Sequence, residues 1–235
     1  MSQNLNLEIE KKFIIGDFSK SFEKLKINYK NYNHIIKHGF WWCNNYNGNE
    51  NILEVNNPKF SKKEIIIIKN ICEILIPDYE FQFVRLRINK NQIKHYLLTF
   101  KIKSIVNKIE HNTEYEFEIN STTFKRLIPY LQDTAFIFYY NIKECWEFFK
   151  DDIKIEISKL NDLKDSYLEI ETTGKNEKEL VNKLENILEE FKDYNIKEEL
   201  RSYLELSRNE NKNSLKNLKL THYSKKANNI LQNYL

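Results

Sequence analysis

Leu7-Glu8-Ile9-Glu10-Lys11-Lys12-Phe13-Ile14 is the stretch on which the reading of this chain turns. As a strand it alternates its side chains between two faces, so Glu8, Glu10 and Lys12 share one face. Leu7 and Ile9 serve the other, together with Phe13 or Ile14. A half-exposed strand needs no more than this, and its polar face ordinarily turns to water. The other strands decide whether this one does.

The same alternation recurs with unusual charge. Phe83-Val84-Arg85-Leu86-Arg87-Ile88 sets two arginines on one face and Val84, Leu86 and Ile88 on the other. Leu97-Leu98-Thr99-Phe100-Lys101-Ile102-Lys103 aligns Thr99, Lys101 and Lys103, and Glu114-Tyr115-Glu116-Phe117-Glu118-Ile119 aligns three carboxylates. Ile155-Glu156-Ile157 repeats the pattern once, and Tyr167-Leu168-Glu169-Ile170-Glu171 ends the series. Nearly every strand has one apolar and one charged face, and the charged faces are sorted by sign, whereas a solvated sheet mixes its signs.

Two architectures accept such strands. An open sheet can lay its apolar face on helices and leave the charged face in water. Alternatively, the sheet closes into a barrel with the apolar face outward under helices and the charged face lining a tunnel. An unpaired buried charge costs several kcal/mol, so such an interior must be wet, internally paired or filled by a charged ligand with metal. Clustered carboxylates suit hard divalent cations such as Mg²⁺ or Mn²⁺, while arginine and lysine rows suit phosphate oxygens. The second architecture therefore reads as a tunnel for a metal-bound polyphosphate.

Strand patterns fall at 5–15, 32–42, 64–76, 79–89, 94–103, 113–119, 134–143, 145–150, 153–159 and 166–172. Helical spacing interrupts them near 19–26 and again from Ser121, where Phe124, Leu127, Ile128 and Leu131 share a face. From Asn176, a plausible cap, Leu180, Leu184, Ile187, Leu188 and Phe191 mark an amphipathic helix. Ile196, Leu200, Tyr203 and Leu204 mark a shorter one. The Asn-rich segment 43–63 reads as a polar insertion, and 209–235, with five Lys and one Glu, as a basic tail outside a tunnel domain spanning 1–208.

Composition bounds the remaining classes. A net charge of +3, with the charges spread along the chain, gives no global field for nucleic acid, and no nucleic-acid partner is expected. No apolar run approaches the ~20 residues that span a bilayer, so a soluble, cytoplasmic protein with no membrane partner is expected. Cys43, Cys72 and Cys145 are odd in number and widely spaced, which points to reduced, mostly buried thiols. The five histidines have neither metal-ligand spacing nor triad partners. Trp41-Trp42 is the candidate for stacking on an organic moiety such as a base or thiazolium, against aromatic packing at the barrel rim or exterior.

Taken in order, Glu8-x-Glu10-x-Lys12, Arg85-x-Arg87, Lys101 and Lys103, the Glu114/Glu116/Glu118 row, Glu169-x-Glu171 and Ser202-Tyr203-Leu204-Glu205-Leu206 resemble the CYTH, or triphosphate tunnel metalloenzyme, superfamily. That group is named for class IV adenylyl cyclases and thiamine triphosphatases. The resemblance covers roughly 5–207. It implies an α+β fold with a closed antiparallel eight-stranded β-barrel, helices packed outside, and a small-molecule triphosphate or nucleotide as substrate with Mg²⁺ or Mn²⁺.

Carried residue by residue, the resemblance implies metal ligation by Glu8, Glu10, Glu169 and Glu171, with Glu116 and Glu118 as further candidates. Lys12, Arg85, Arg87, Lys101, Lys103 and Lys143 would bind phosphate. Glu8, Glu10 and Lys12 would act in catalysis, Lys12 in phosphate binding rather than as a base. Two departures stand out: Cys145 occupies the place where family members carry Arg in K-x-R after Lys143, and Glu156 replaces a common Asp. The His-Phe pair that often precedes the motif in the cyclases is missing. The expected activity is therefore triphosphate hydrolysis, with a cyclase or a non-catalytic triphosphate sensor as alternatives, the last motivated by Cys145.

Overall fold

In the computed structural model the described residues are 5–43, 60–74, 81–91, 94–134 and 137–210. Most of the expected insertion and of the basic tail lies outside them. The strands are β1 (Leu5–Ile15), β2 (Tyr32–Cys43), β3 (Phe83–Lys90), β4 (Lys94–Val106), β5 (Ile109–Ile119), β6 (Ile137–Lys150), β7 (Ile153–Leu160), β8 (Ser166–Gly174) and β9 (Ile196–Glu198). The helices are α1 (Phe18–Asn28), α2 (Lys62–Cys72), α3 (Ser121–Thr134), α4 (Glu177–Leu188) and α5 (Tyr203–Glu210).

Antiparallel pairing runs β5-β4-β3-β2-β6-β7-β8-β1, and a β5–β1 pairing closes the ring into an eight-stranded barrel. β1 divides its outer edge: Leu5 to Glu10 pair with β5, and Phe13 to Ile15 pair with the short β9. The fold is α+β, with helices outside a closed barrel.

Alternation turns this barrel inside out. Its apolar residues point outward and are buried beneath helices. On one side α2 and α3 cover Phe40, Trp42, Val84, Leu86, Leu98 and Phe100 with Ile65, Ile68, Phe124 and Leu127. On the other, Leu25 of α1 and Leu180, Leu184 and Ile187 of α4 cover Ile9, Ile155, Leu168 and Ile170. The strands thus bury one face under helices and the other around a polar interior, which is why each reads as apolar alternating with charged.

Segment 64–76, expected as a strand from its β-branched run, is helical up to Cys72 as part of α2. Ser61 and Glu64 form a capping box, each side chain bonding the other's backbone N–H, and Ile65 and Ile68 bury one face while Ile66 is exposed. Cap and tertiary packing override the weak strand preference of isoleucine. Strands 134–143 and 145–150 are one continuous β6. The helix expected at 196–204 separates into β9, which β1 recruits by pairing, and α5, which starts one residue after Ser202 in a second Ser-x-x-Glu box. Asn176 does cap α4, accepting from the Glu179 amide.

Candidate active site

Around a cavity of about 490 Å³, nine glutamates face eight lysines and arginines. The sign-sorted rows expected from the sequence are brought into contact by barrel pairing, so that most cations meet a carboxylate. Arg85 donates to Glu114 at 3.2 Å and Glu116 at 3.3 Å, and Arg87 donates to Glu116 at 2.8 Å. Lys101 lies 2.8 Å from Glu114, 3.7 Å from Glu110 and 3.8 Å from Glu8. Lys103 pairs with Glu110, Lys154 with Glu171, and Lys143 with both Glu156 and Glu169.

These contacts divide the carboxylates into two electrostatic classes. Burial works against the charged form of Glu110 and Glu114, but Lys101, with Lys103 or Arg85, outweighs it and holds both down at about 2. Lys143 and Lys37 likewise hold buried Glu156 well below the carboxylate range. Glu8 goes the other way: burial first, then Glu114 and Glu171, push it up to about 8. Burial and Glu110 also raise Glu10 well above its ordinary value.

Glu8, Glu10 and Glu171 each offer an oxygen, and the three lie within 4.8 Å of one another. Asn112, fully buried, donates from Nδ2 to Glu8 at 3.1 Å and to Glu110 at 3.0 Å, orienting two of the crowded acids. An oxygen-only donor set in which Glu8 and Glu10 are pushed toward the neutral form fits a hard divalent cation, which would offset the crowding of like charge. Of the other expected ligands, Glu169 pairs with Lys143 and Glu116 with the two arginines. Glu118 sits exposed at the rim, 2.9 Å from His95.

Lys12 stands apart from the other expected phosphate ligands. Among the described residues it has no carboxylate at ion-pair distance, and its ammonium rests 4.6 Å above the ring of Tyr203, with Lys143 4.9 Å from the same ring. Burial lowers its pKa. Tyr203 arrives on α5, whose Leu206 packs against Leu160 and Tyr167 at one end of the barrel.

Cys145, where the resemblance leads one to expect Arg, is buried and donates its thiol to the Ile35 carbonyl at 3.3 Å. It lies with Glu147 and Glu156 in a second group that could hold a metal by distance alone. Lys37 already occupies that corner, 2.5 Å from Glu147 and 2.6 Å from Glu156, and burial and Glu156 push the thiol up to about 12. An ammonium thus does there what a cation would do. Lys37 also supplies positive charge from β2 close to the position where Arg is missing from β6.

Sequence reasoning missed Lys37, Lys154, Glu110 and Glu147. Each had a signal in alternation: Lys37-x-Gly39-x-Trp41, Lys154-x-Glu156 and Glu110-x-Asn112-x-Glu114 continue the inward faces of their strands, and Glu147 follows Lys143 and Cys145 on one face of β6. The Trp pair splits by the same parity. Trp42 is buried in the outer core, whereas Trp41 faces the cavity with the Arg85 guanidinium 4.8 Å from its ring. His34, His38, His95 and His111 pair with Glu144, Tyr140, Glu118 and Glu177, as expected of packing or surface residues.

No protein-family model and no curated protein sequence matches the chain. Solved structures do. The PH1012 protein of Pyrococcus horikoshii aligns at a TM-score of 0.58 and 18% identity over 85% of this chain and 98% of its own. The PH1819 protein of the same organism aligns at 0.55 and 23% over 85% and 97%. A proposed adenylate cyclase from Vibrio parahaemolyticus aligns at 0.51 and 11% over 86% and 98%. Identities at this level speak for the fold alone. By fold, then, the chain is similar to these proteins, and what it shares with them is the architecture of the closed antiparallel barrel.

Proposed function

We propose that the barrel binds a triphosphate together with Mg²⁺ or Mn²⁺ and hydrolyses it. One observation carries this reading: a crowded acidic trio, Glu8, Glu10 and Glu171, faces a basic row, Arg85, Lys101 and Lys103, inside one cavity. A ligand bringing both a divalent cation and phosphate oxygens satisfies both halves at once. A cation alone relieves only the acidic half, and an anion alone must compete with the carboxylates that already pair the basic row.

Glu8, Glu10 and Glu171 would hold the cation, with Asn112 fixing Glu8. A divalent cation there supplies charge neutralisation of the phosphates and activation of water. Lys101 and Lys103, now paired with Glu114 and Glu110, would turn to non-bridging oxygens, as would Arg85 and Arg87 from Glu114 and Glu116. Lys12 is the cation with least to give up, and it stabilises charge accumulating on the transferred phosphoryl group. Lys37 supplies a cation from β2 beside the position where Cys145 leaves a gap, which supports retained turnover over a purely sensing role.

The test is incubation of the pure protein with ATP, thiamine triphosphate and inorganic triphosphate, each with Mg²⁺ and with Mn²⁺. Phosphate release supports the hydrolase. Cyclic nucleotide plus pyrophosphate would instead make it a cyclase, and tight binding without product a sensor. Absence of both binding and turnover would sink the reading.

A further inference from the structure

The acidic trio has a cation of its own, tied to one of its three members. Lys154 of β7 is the register partner of Glu171 on β8, and the partner of Glu171 on β1 is Glu10, so the three side chains form one row across neighbouring strands. Lys154 lines the cavity, its ammonium pairs with Glu171, and its charge also acts on Glu8.

The group around Cys145 shows what complete internal neutralisation looks like. There Lys37 bonds Glu147 and Glu156 at once, at 2.5 and 2.6 Å, and Cys145 spends its thiol on the Ile35 carbonyl. In the trio the matching stops halfway. Lys154 reaches Glu171, Glu8 has Lys101 only at 3.8 Å, and among the described residues Glu10 has no ion-pair partner. Asn112, which donates to Glu8 from Nδ2, keeps its buried Oδ1 without a hydrogen-bond donor. One flank of the trio is thus neutralised by a lysine, while the other presents oxygens that a cation would satisfy.

A tethered ammonium and an incoming cation compete unequally for Glu171. A monovalent ion exchanges one charge for an equal one and gives up translational freedom that the covalently held ammonium never had. A divalent ion brings twice the charge and takes oxygens from several acids at once. Released from Glu171, the flexible stem of Lys154 has Glu156 and Glu147 as the next acids within reach of its field.

We propose that Lys154 is the resident counter-cation of the acidic trio: it holds Glu171 in place in the metal-free protein, yields it to a divalent cation, and thereby sets how tightly that cation binds. This rests on the metal-binding reading of the trio given above. Lys154 is a positioning residue in this role, acting on the cation through Glu171.

The experiment measures binding of Mn²⁺ alone, by loss of the free ion's paramagnetic resonance signal, in the wild type, Lys154→Met, Lys154→Gln and Lys154→Arg, together with thermal midpoints in EDTA and in saturating Mn²⁺. Removing one positive charge beside the cation should tighten Mn²⁺ binding about ten-fold or more in the Met and Gln variants, while the Arg variant, which keeps the charge, stays close to wild type. The midpoints of the two uncharged variants should fall below wild type in EDTA and recover in Mn²⁺. A lysine that merely supports the fold would lower the midpoint equally in both media. Mn²⁺ binding that is unchanged or weaker in both uncharged variants overturns the proposal and leaves the trio standing as a metal site. Failure of all four proteins to bind Mn²⁺ overturns the metal reading as well. Should the uncharged variants not fold in EDTA, recovery of structure on adding Mn²⁺ supports the exchange and failure to recover overturns it.

Discussion

Lys101 of β4 and Glu114 of β5 face each other as register partners inside the barrel, their ammonium and carboxylate 2.8 Å apart. Both are largely shielded from water, and Lys101 also serves Glu110 and Glu8. Removing the lysine alone leaves several buried acids short of charge. Lys101→Met should cost about 3–5 kcal/mol of unfolding free energy, and the double variant with Glu114→Gln clearly less than the two single costs added. Urea denaturation of the four proteins in the cycle checks this; strictly additive costs would show that the pair is not coupled.

The acidic trio predicts a graded response among glutamates. Glu8→Gln and Glu171→Gln should each lower metal-dependent turnover by about 10²-fold or more, with an unchanged circular dichroism spectrum. Glu118→Gln, at the exposed rim beside His95, should lie within about three-fold of wild type. Steady-state phosphate release at saturating and limiting Mg²⁺ separates the two groups. Equal effects at all three positions would remove the trio from the assignment.

Glu8 gives an unusual pH signature. Its folded-state pKa, about 8 against an ordinary 4.5, means that the native chain keeps a proton which the unfolded chain has released throughout that interval. Stability contributed by this group therefore falls as pH rises from about 4.5 to 8. Glu110 and Glu114, held down at about 2, act oppositely: their contribution is present above about 4.5 and lost as pH falls toward 2. In EDTA, the urea midpoint should decline between pH 5 and 8.5, and Glu8→Gln should flatten the decline. Saturating Mg²⁺ should flatten it too. A variant that tracks wild type across the range contradicts the assignment.

Restoring the arginine that the family resemblance leads one to expect should not help. Cys145 is wholly buried between Lys37 and Lys143, and Lys37 already neutralises Glu147 and Glu156. Cys145→Arg adds both volume and a like charge, and should cost about 1–3 kcal/mol or more without raising turnover. A gain in activity with undiminished thermal midpoint would mean that Lys37 does not fill the gap.

Much of the barrel was legible because strand alternation leaves its mark on sequence regardless of partner. Glu8-x-Glu10-x-Lys12 and Arg85-x-Arg87 carry both their strand and their inward face. What alternation cannot specify is which strands become neighbours. The rows at 85–87, 101–103 and 114–118 therefore read as segregated signs, yet pairing sets Lys101 of β4 opposite Glu114 of β5, and Thr99, the partner of Arg85, opposite Glu116. For the same reason the sequence does not show that Glu116 meets the two arginines or that Glu169 meets Lys143. The misread segment 64–76 had its correction nearby, since Ser61-x-x-Glu64 is a helix start that outweighs four isoleucines. Trp41 and Trp42, adjacent in sequence, differ in everything that matters because one bond of the chain separates the two faces.

The double pairing of β1, with β8 along one edge and with β5 along the other, also sets a schedule. Glu8 and Glu10 lie on the first strand of the ring and are synthesised well before Glu171, their companion on the last. The acidic trio cannot exist before the final seam closes, and assembling it means bringing like charges together at the step that already carries the greatest loss of chain freedom. Ring closure is where topology and electrostatics oppose folding together. A cation captured at that seam would serve as a rivet, so that the acquisition of metal reports completion of the barrel as much as readiness for chemistry.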